Sequence, residues 1–311
     1  MKKMRIHIYI AIGVALVFFI LGSFLDLNIS EALFHRDDSF GLMVSAIGTL
    51  PGYGMFAVLG GGLLIYFFNK EIKILYRVLS IIMAVVALGL GTFFAGREFF
   101  GPNGFTGTAP EWVGFLIALP IMCGLEFFGY KLFKKSERKY LWLIIVILFV
   151  ALFIALVPGV TLLKGILHRP RYRAIEYYDA HYLGQEPRVF FHNWWEKCKD
   201  YNNLIASYDY LIKEEFKSFP SGHAGATSCF MMVVTFLPLL DKKYESHSLF
   251  SFYVGFIWVL IVCFTRILVG AHFLSDVSMG MLITFVTLLI TNEVVIHLKQ
   301  FKDPEPEVVQ E

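Results

Sequence analysis

Two histidines and one carboxylate in the second half of the chain have the types and spacing of a nucleophile with its acid–base partners. His272 and Asp276 are four residues apart, and on a helix that spacing places two side chains on one face. Asp276 can then accept the Nδ1 proton of His272, which leaves Nε2 free to attack. His223 can protonate a leaving group and later activate water. Together the three residues predict covalent catalysis at a histidine.

Three cations accompany these residues, each at the outer end of an apolar run: Lys164, Arg171 and Arg266. Positive groups can neutralise the charge on the oxygens of a transferring phosphoryl group. Taken alone, Lys164 and Arg171 are also typical of cations that snorkel to the headgroup level. We favour these two as phosphate ligands on their spacing. Further basic residues lie in the same stretch, namely His168, Arg169 and Arg173.

The string Pro220-Ser221-Gly222-His223 is predicted to open a helix. Proline suits the first helical turn because the N–H that it lacks is not needed there. The free N–H groups of that turn, with the positive end of the helix dipole, form an anion site. Ser221 and Gly222 are therefore candidate phosphate-binding residues, and His223 would face the same phosphate.

The chain is strongly apolar, with 57% hydrophobic and only 17% charged residues among its 311. Soluble domains contain roughly a quarter charged residues, so the composition predicts an integral membrane protein. A helix needs about 20 mostly apolar residues to cross a bilayer. The run at 42–68 contains Pro51 and several glycines, so we expect a kinked span there. Suitable runs cover residues 6–25, 42–68, 74–96, 112–133, 141–160, 220–240, 250–268 and 273–293.

Basic residues cluster in alternate connections, which indicates the orientation in the membrane. With the N-terminal run retained as a first span, eight spans place both termini in the cytoplasm and all three motifs on the extracytoplasmic side. We expect an all-α, polytopic transmembrane helical bundle of about eight spans. Six spans is the alternative if 74–133 does not cross twice. The basic residues that set this orientation include Lys2, Lys3, Arg5, Lys70, Lys73, Arg77, Lys131, Lys134, Lys135, Arg138, Lys139, Lys242, Lys243, Lys299 and Lys302.

The three strings resemble the signature of the type 2 phosphatidic acid phosphatase (PAP2) superfamily, which includes vanadium haloperoxidases and glucose-6-phosphatase. The family pattern is Lys-x6-Arg-Pro, Pro-Ser-Gly-His and Ser-Arg-x5-His-x3-Asp. Here Tyr172 replaces the proline and Thr265 replaces the serine, and neither change removes a group that the chemistry needs. The resemblance covers roughly residues 140–293. Membrane members usually have six spans, so a hairpin near 74–133 would be additional.

The resemblance implies roles for individual residues. His272 would form a phosphohistidine with Asp276 in support, and His223 would be the general acid. No metal or cofactor would be needed, because cationic side chains and helix N–H groups would neutralise the phosphate charge. With one histidine neutral and the other protonated, activity would follow a bell-shaped pH profile. The implied phosphate ligands are Lys164, Arg171, Ser221, Gly222 and Arg266.

We expect three regions in the chain. Residues 1–139 would form N-terminal spans, 140–293 the catalytic core, and 294–311 a cytoplasmic tail. The core includes an extracytoplasmic loop at 172–217 that is rich in aromatic residues. Such residues suit headgroup depth, so the loop is either an interfacial rim or a loop folded on itself. Glu126, in the fourth run, is either functional or a structural hydrogen-bonding group.

The predicted function is hydrolysis of a lipid phosphate or diphosphate by a metal-independent membrane phosphatase. Candidate substrates are undecaprenyl diphosphate, phosphatidate and phosphatidylglycerol phosphate. One alternative is a lipid phosphotransferase with the same phosphohistidine, and another is a non-catalytic lipid-binding or transport protein. The expected partners are the lipid substrate and the bilayer; nothing indicates nucleic acid, and the oligomeric state stays open.

Overall fold

A computed structural model describes residues 2–100, 109–136, 140–178, 190–199, 201–207, 212–240 and 244–298. The described residues are predominantly helical and contain no β-strand. The predicted all-α class is therefore confirmed.

Eight helical segments are long and apolar enough to cross a membrane. By length and composition, eight spans are favoured over six. Consecutive spans run antiparallel. The segments are α1 (Lys2–Leu33), α2 (Ser39–Ile47) with α3 (Leu50–Phe68), α4 (Ile74–Phe100), α5 (Glu111–Lys134), α6 (Leu141–Ile154) with its continuation, and then α10 (Gly222–Leu240), α11 (Ser248–Leu268) and α12 (Leu274–His297).

The second span is divided in two, as the proline and glycines predicted. α2 ends at Ile47 and α3 begins at Leu50, so the break falls at Gly48 and Thr49. Pro51 lies in the first turn of α3, where a missing N–H costs no helical hydrogen bond. The break leaves the carbonyl of Gly48 as an acceptor for the Trp258 indole N–H at 3.1 Å.

The fifth span is longer than the sequence indicated. α6 continues as a π-helix (Ala155–Leu162) that contains Pro158, and then as α7 (Leu163–Leu167). Proline removes one helical hydrogen bond, and the wider π-helical turn accommodates that loss. We expected the span to end near residue 160 with Lys164 beyond it. Instead, Lys164 is carried on the last helical turn of the span.

Between the fifth and sixth spans, the described chain folds back onto the last helical hairpin. It contains α8 (Tyr172–Tyr178), α9 (Tyr201–Ser207) and a 3₁₀ turn (Lys213–Phe216). The rings of Tyr172 and Phe191 meet Phe273 edge-on, at centroid distances of 6.2 and 5.4 Å. These contacts hold this part of the loop against the last helical hairpin. Three aromatic residues of the predicted loop, Tyr182, Tyr208 and Tyr210, lie outside the described residues.

α1 and α12 lie antiparallel along each other. Arg5 and Glu293 form an ion pair at one end. At the other end Asp26 accepts the backbone N–H of Ser275 at 2.9 Å. The three sequence motifs lie at this second end of the bundle.

Candidate active site

His272 lies in the turn between α11 and α12, and its side chain is fully buried. Its Nδ1 is 2.7 Å from the backbone oxygen of Ser218. Because a carbonyl only accepts hydrogen bonds, Nδ1 carries the proton. Nε2 has no hydrogen-bond partner among the described residues. This is the tautomer and orientation that a nucleophilic Nε2 requires.

Asp276 supports His272 in a different way from the one predicted. We expected both residues on one helix, but α12 begins only at Leu274, so His272 precedes it. The Asp276 Oδ2 atom stays 3.8 Å from His272 Nδ1. That oxygen accepts the Ser218 hydroxyl and the Phe273 backbone N–H instead. Ser218 therefore stands between the carboxylate and the imidazole. Its carbonyl accepts from His272, and its hydroxyl donates to Asp276.

Arg169 lies behind Asp276. Its guanidinium donates to Asp276 Oδ1 at 2.5 Å and to Asp26 Oδ2 at 2.9 Å. It also lies 4.1 Å from the centre of the Phe273 ring. The guanidinium is buried between two carboxylates and an aromatic face, so its donors are directed toward the support of the site.

The helix that carries His223 starts later than expected. α10 begins at Gly222, so Pro220 precedes its first turn rather than lying within it. We predicted that the Ser221 N–H would be free to bind an anion. Instead, it donates to the Asp276 carbonyl at 2.9 Å. The Ser221 hydroxyl accepts the N–H of Ala224 at 3.3 Å. The Ser221 contacts join the start of α10 to the first turn of α12.

The two histidine rings face the same space, with centroids 6.4 Å apart. His223 is buried, and its Nε2 lies 3.1 Å from the Ser45 carbonyl and 3.2 Å from Glu98 Oε2. Since both partners are acceptors, Nε2 carries a proton. In near-attack geometry the reacting atoms are about 3–3.5 Å apart, so rings at this separation can act on one phosphoryl group.

The three predicted cations converge on this space. Arg171 and Arg266 are fully buried, and Arg266 donates to the Ser45 hydroxyl. Lys164 lies against α10, since a Cβ on Gly222 would be 3.1 Å from Lys164 Nζ. Burial lowers the pKa of His272 well below its ordinary value, and the charges of Arg171, Lys164 and Arg266 lower it further against the opposing effect of Asp276. A neutral His272 in a cationic site is suited to attack a phosphate.

A cavity of about 310 Å³ is lined by Lys164 and His223 of these groups. One part of its lining is polar and charged, and the other part is apolar and comes from the membrane-spanning helices. Within the described residues, no group of three His, Cys, Asp or Glu side chains is placed to hold a metal ion. The polar lining includes Arg97, Glu98, Lys164, Glu214, Lys217, Gly222 and His223, and the apolar lining includes Tyr53, Phe94, Leu156 and Val160.

Four residues of the site were not singled out in the sequence: Asp26, Ser45, Glu98 and Ser218. Asp26 and Glu98 are acids at the outer ends of apolar runs, and an acid within a span is a signal for function. Ser45 and Ser218 contribute a carbonyl as well as a hydroxyl. No side-chain pattern reveals a backbone acceptor, so those two had no signal.

A sequence profile of the PAP2 superfamily matches residues 139–299, slightly more than half of the 311 residues. The chain therefore belongs to the PAP2 superfamily, as the motifs indicated. Members of this superfamily act on phosphate esters and are generally phosphatases. At this coarse level the protein is a membrane-embedded phosphoester hydrolase. Comparisons with curated proteins and with solved structures find no match.

Proposed function

We propose that the protein removes the terminal phosphate of a lipid phosphate or diphosphate. The observation that carries this proposal is a cavity whose lining is charged around His223 and Lys164 and apolar where it is formed by the spans. A phosphate headgroup suits the first part and a hydrocarbon chain the second. Undecaprenyl diphosphate, phosphatidate and phosphatidylglycerol phosphate all have this chemistry.

In the first step, His272 Nε2 attacks phosphorus and the bond to the lipid oxygen breaks. The electron pair of that bond stays with the oxygen, which takes a proton from His223. Lys164, Arg171 and Arg266 offset the charge on the phosphoryl oxygens. The carbonyl of Ser218 holds the Nδ1 proton, and Asp276 orients Ser218. The products are a dephosphorylated lipid and a phosphohistidine.

In the second step, His223, now neutral, accepts a proton from water as that water attacks phosphorus. The P–N bond breaks, its electron pair returns to Nε2 of His272, and inorganic phosphate leaves. His223 ends the cycle protonated, and His272 ends it neutral.

We further propose that this chemistry takes place on the extracytoplasmic side, with both termini in the cytoplasm. The site lies at the end of the bundle away from Arg5 and Glu293. The turn between α3 and α4 carries Lys70 and Lys73 at that opposite end. Cytoplasmic connections are enriched in Lys and Arg, so the charge pattern supports this orientation.

The test is phosphate release by the purified protein in detergent with EDTA, across a panel of lipid monophosphates and diphosphates. His272→Ala is the matched variant. We expect release to persist in EDTA and to fall at least about 10³-fold in the variant, because the triad logic makes the nucleophile indispensable. Lipid labelled with ³²P should transfer an acid-labile label to the wild type and none to the variant.

Two results would contradict the proposal as stated. Equal release by His272→Ala would exclude the phosphohistidine route. Transfer of label from one lipid to another without free phosphate would show a phosphotransferase, in which a lipid hydroxyl takes the place of water.

A further inference from the structure

Glu98 lies in the last turn of α4, outside residues 139–299 that match the superfamily. Its carboxylate nevertheless reaches the core of the site, where Oε2 is 3.2 Å from His223 Nε2. The side chains of the pair are 16% and 3% exposed. A largely buried carboxylate needs partners to offset its lost hydration, and His223 is in direct contact with it. The positive charges that act on Glu98 include those of Arg266, Lys164, Arg97 and Arg171.

The surroundings of His223 are otherwise unfavourable for a second proton. The positive charges that act on its ring include those of Arg266 and Lys164, while the neutral carbonyl of Ser45 accepts from Nε2. Like charges close to an imidazole disfavour its charged form. A general acid must nevertheless be protonated when substrate binds. Glu98 supplies the negative charge that this requirement demands.

We propose that Glu98 is a positioning residue that keeps His223 protonated and oriented as the general acid. The inference rests on the proposed phosphatase function. It assigns part of the acid–base machinery to the N-terminal helices, while the matching region supplies the nucleophile, the acid and the phosphate-binding cations.

The contact also fixes which proton moves. In the imidazolium form, Nε2–H stays directed to Glu98 and to the Ser45 carbonyl. The Nδ1–H bond is the one that breaks, and its proton forms the O–H bond of the departing lipid alcohol. Glu98 remains a carboxylate throughout and does not itself transfer a proton.

A leaving-group comparison tests this role. An alkyl leaving group of a lipid phosphate needs protonation, whereas p-nitrophenolate leaves without it. We expect Glu98→Gln to lower kcat for the lipid phosphate by roughly 10–100-fold, within the range of general acid catalysis. For p-nitrophenyl phosphate the loss in kcat should stay below about threefold. Because Glu98 also acts on the charges of Lys164, Arg171 and Arg266, any change in KM should be the same for both substrates.

The pH profile gives a second readout that a structural role would not change. Without the carboxylate, the imidazolium is less stable and loses its proton at lower pH. The basic limb of kcat/KM for the lipid substrate should therefore move to lower pH in Glu98→Gln. Glu98→Asp retains a carboxylate and should recover part of the rate. Glu71→Gln makes the same substitution at an exposed carboxylate in the turn before α4 and should match the wild type.

His223→Ala is the reference variant for loss of the general acid. In kcat/KM, which reports the steps up to phosphohistidine formation, it should show the same leaving-group dependence, while kcat falls for both substrates because His223 also activates water. Adding Glu98→Gln to it should cost nothing further, because the two residues act as a unit. If His223→Ala shows this dependence while Glu98→Gln behaves like the wild type, the inference fails and the proposed function stands. Equal losses on both substrates in Glu98→Gln and Glu98→Asp would assign Glu98 a structural role. An inactive wild type would overturn both proposals.

Discussion

Ser218 stands between Asp276 and His272, so it offers a test of the support of the nucleophile at the scale of one residue. Ser218→Ala removes the hydroxyl that donates to Asp276 and keeps the carbonyl that accepts from His272. A hydrogen bond to a charged group contributes about 1.5–3 kcal/mol. If that support is needed in the transition state, kcat should fall roughly 10–100-fold, measured as phosphate release.

Ser246→Ala is the matched control, because Ser246 is exposed in the turn between α10 and α11. A Ser218→Ala variant with full activity would show that Asp276 does not act through this hydroxyl. Asp276→Asn would then be needed to measure any direct effect of the carboxylate on His272.

The protonation of His272 leads to a prediction about pH. Burial, with the nearby Arg171, Lys164 and Arg266, lowers its pKa well below the ordinary value near 6.5. A lowered pKa keeps the imidazole neutral, and so nucleophilic, at more acidic pH. The acid limb of kcat/KM should therefore lie below pH 6.5, after correction for ionisation of the substrate phosphate. A limb above that pH in the wild type would contradict a neutral buried His272.

The sequence predicted some of these residues and not others, for a physical reason. His223, His272 and Arg266 are separated by fixed numbers of residues within short segments, so local spacing reveals them. Glu98 reaches His223 across 125 positions of sequence, and no local pattern records that approach. The sequence also could not show that Ser218, and not Asp276, accepts the Nδ1 proton of His272, because this depends on where α12 begins.

At the scale of elements, Arg169 joins three parts of the chain that are far apart in sequence. It contacts Asp26 on α1 and Asp276 on α12, and the Ser275 hydroxyl donates to Asp26 beside it. Removal of one member of a buried charge network leaves the others without compensation, at a cost of about 3–5 kcal/mol. The same contacts that hold α1 to α12 therefore also fix the position of Asp276 beside His272.

The approach of α3 to α10 gives a prediction about packing. A Cβ on Gly52 would lie 1.8 Å from the Ala226 carbonyl oxygen, so the two backbones are in direct contact. Small residues permit such contacts between membrane helices. Gly52→Ala should force the helices apart and cost about 1–3 kcal/mol or more, with a lower midpoint of thermal unfolding in detergent.

Gly89 in α4 provides the comparison, because a Cβ there would meet nothing within 4 Å. Gly89→Ala should leave the midpoint unchanged or raise it slightly, since alanine favours the helix. Activity should follow the same order, because Gly52 packs one turn from His223. Equal midpoints for the two variants would show that α3 can move away from α10 without loss of stability.

At the scale of the whole molecule, the eight spans explain how residues from distant parts of the sequence meet. Each span reverses the direction of the last, so the C-terminal ends of α4, α7 and α11 and the N-terminal ends of α10 and α12 lie at one end of the bundle. Glu98, Lys164 and Arg266 are at such C-terminal ends, and His223 and Asp276 at such N-terminal ends. The count of spans, which hydropathy predicts well, thus places the motifs together before any contact is known.

The same alternation makes the orientation testable with two exposed positions. Asp37 lies between α1 and α2 at the end that holds the site, and Ser246 lies between α10 and α11 at the opposite end. In a variant without the four native cysteines, Asp37→Cys should react with a membrane-impermeant maleimide in intact cells. Ser246→Cys should react only after the membrane is opened, because basic connections stay in the cytoplasm. The reverse pattern would place the phosphatase site in the cytoplasm, and labelling of both positions in intact cells would mean that they do not lie on opposite sides of the membrane.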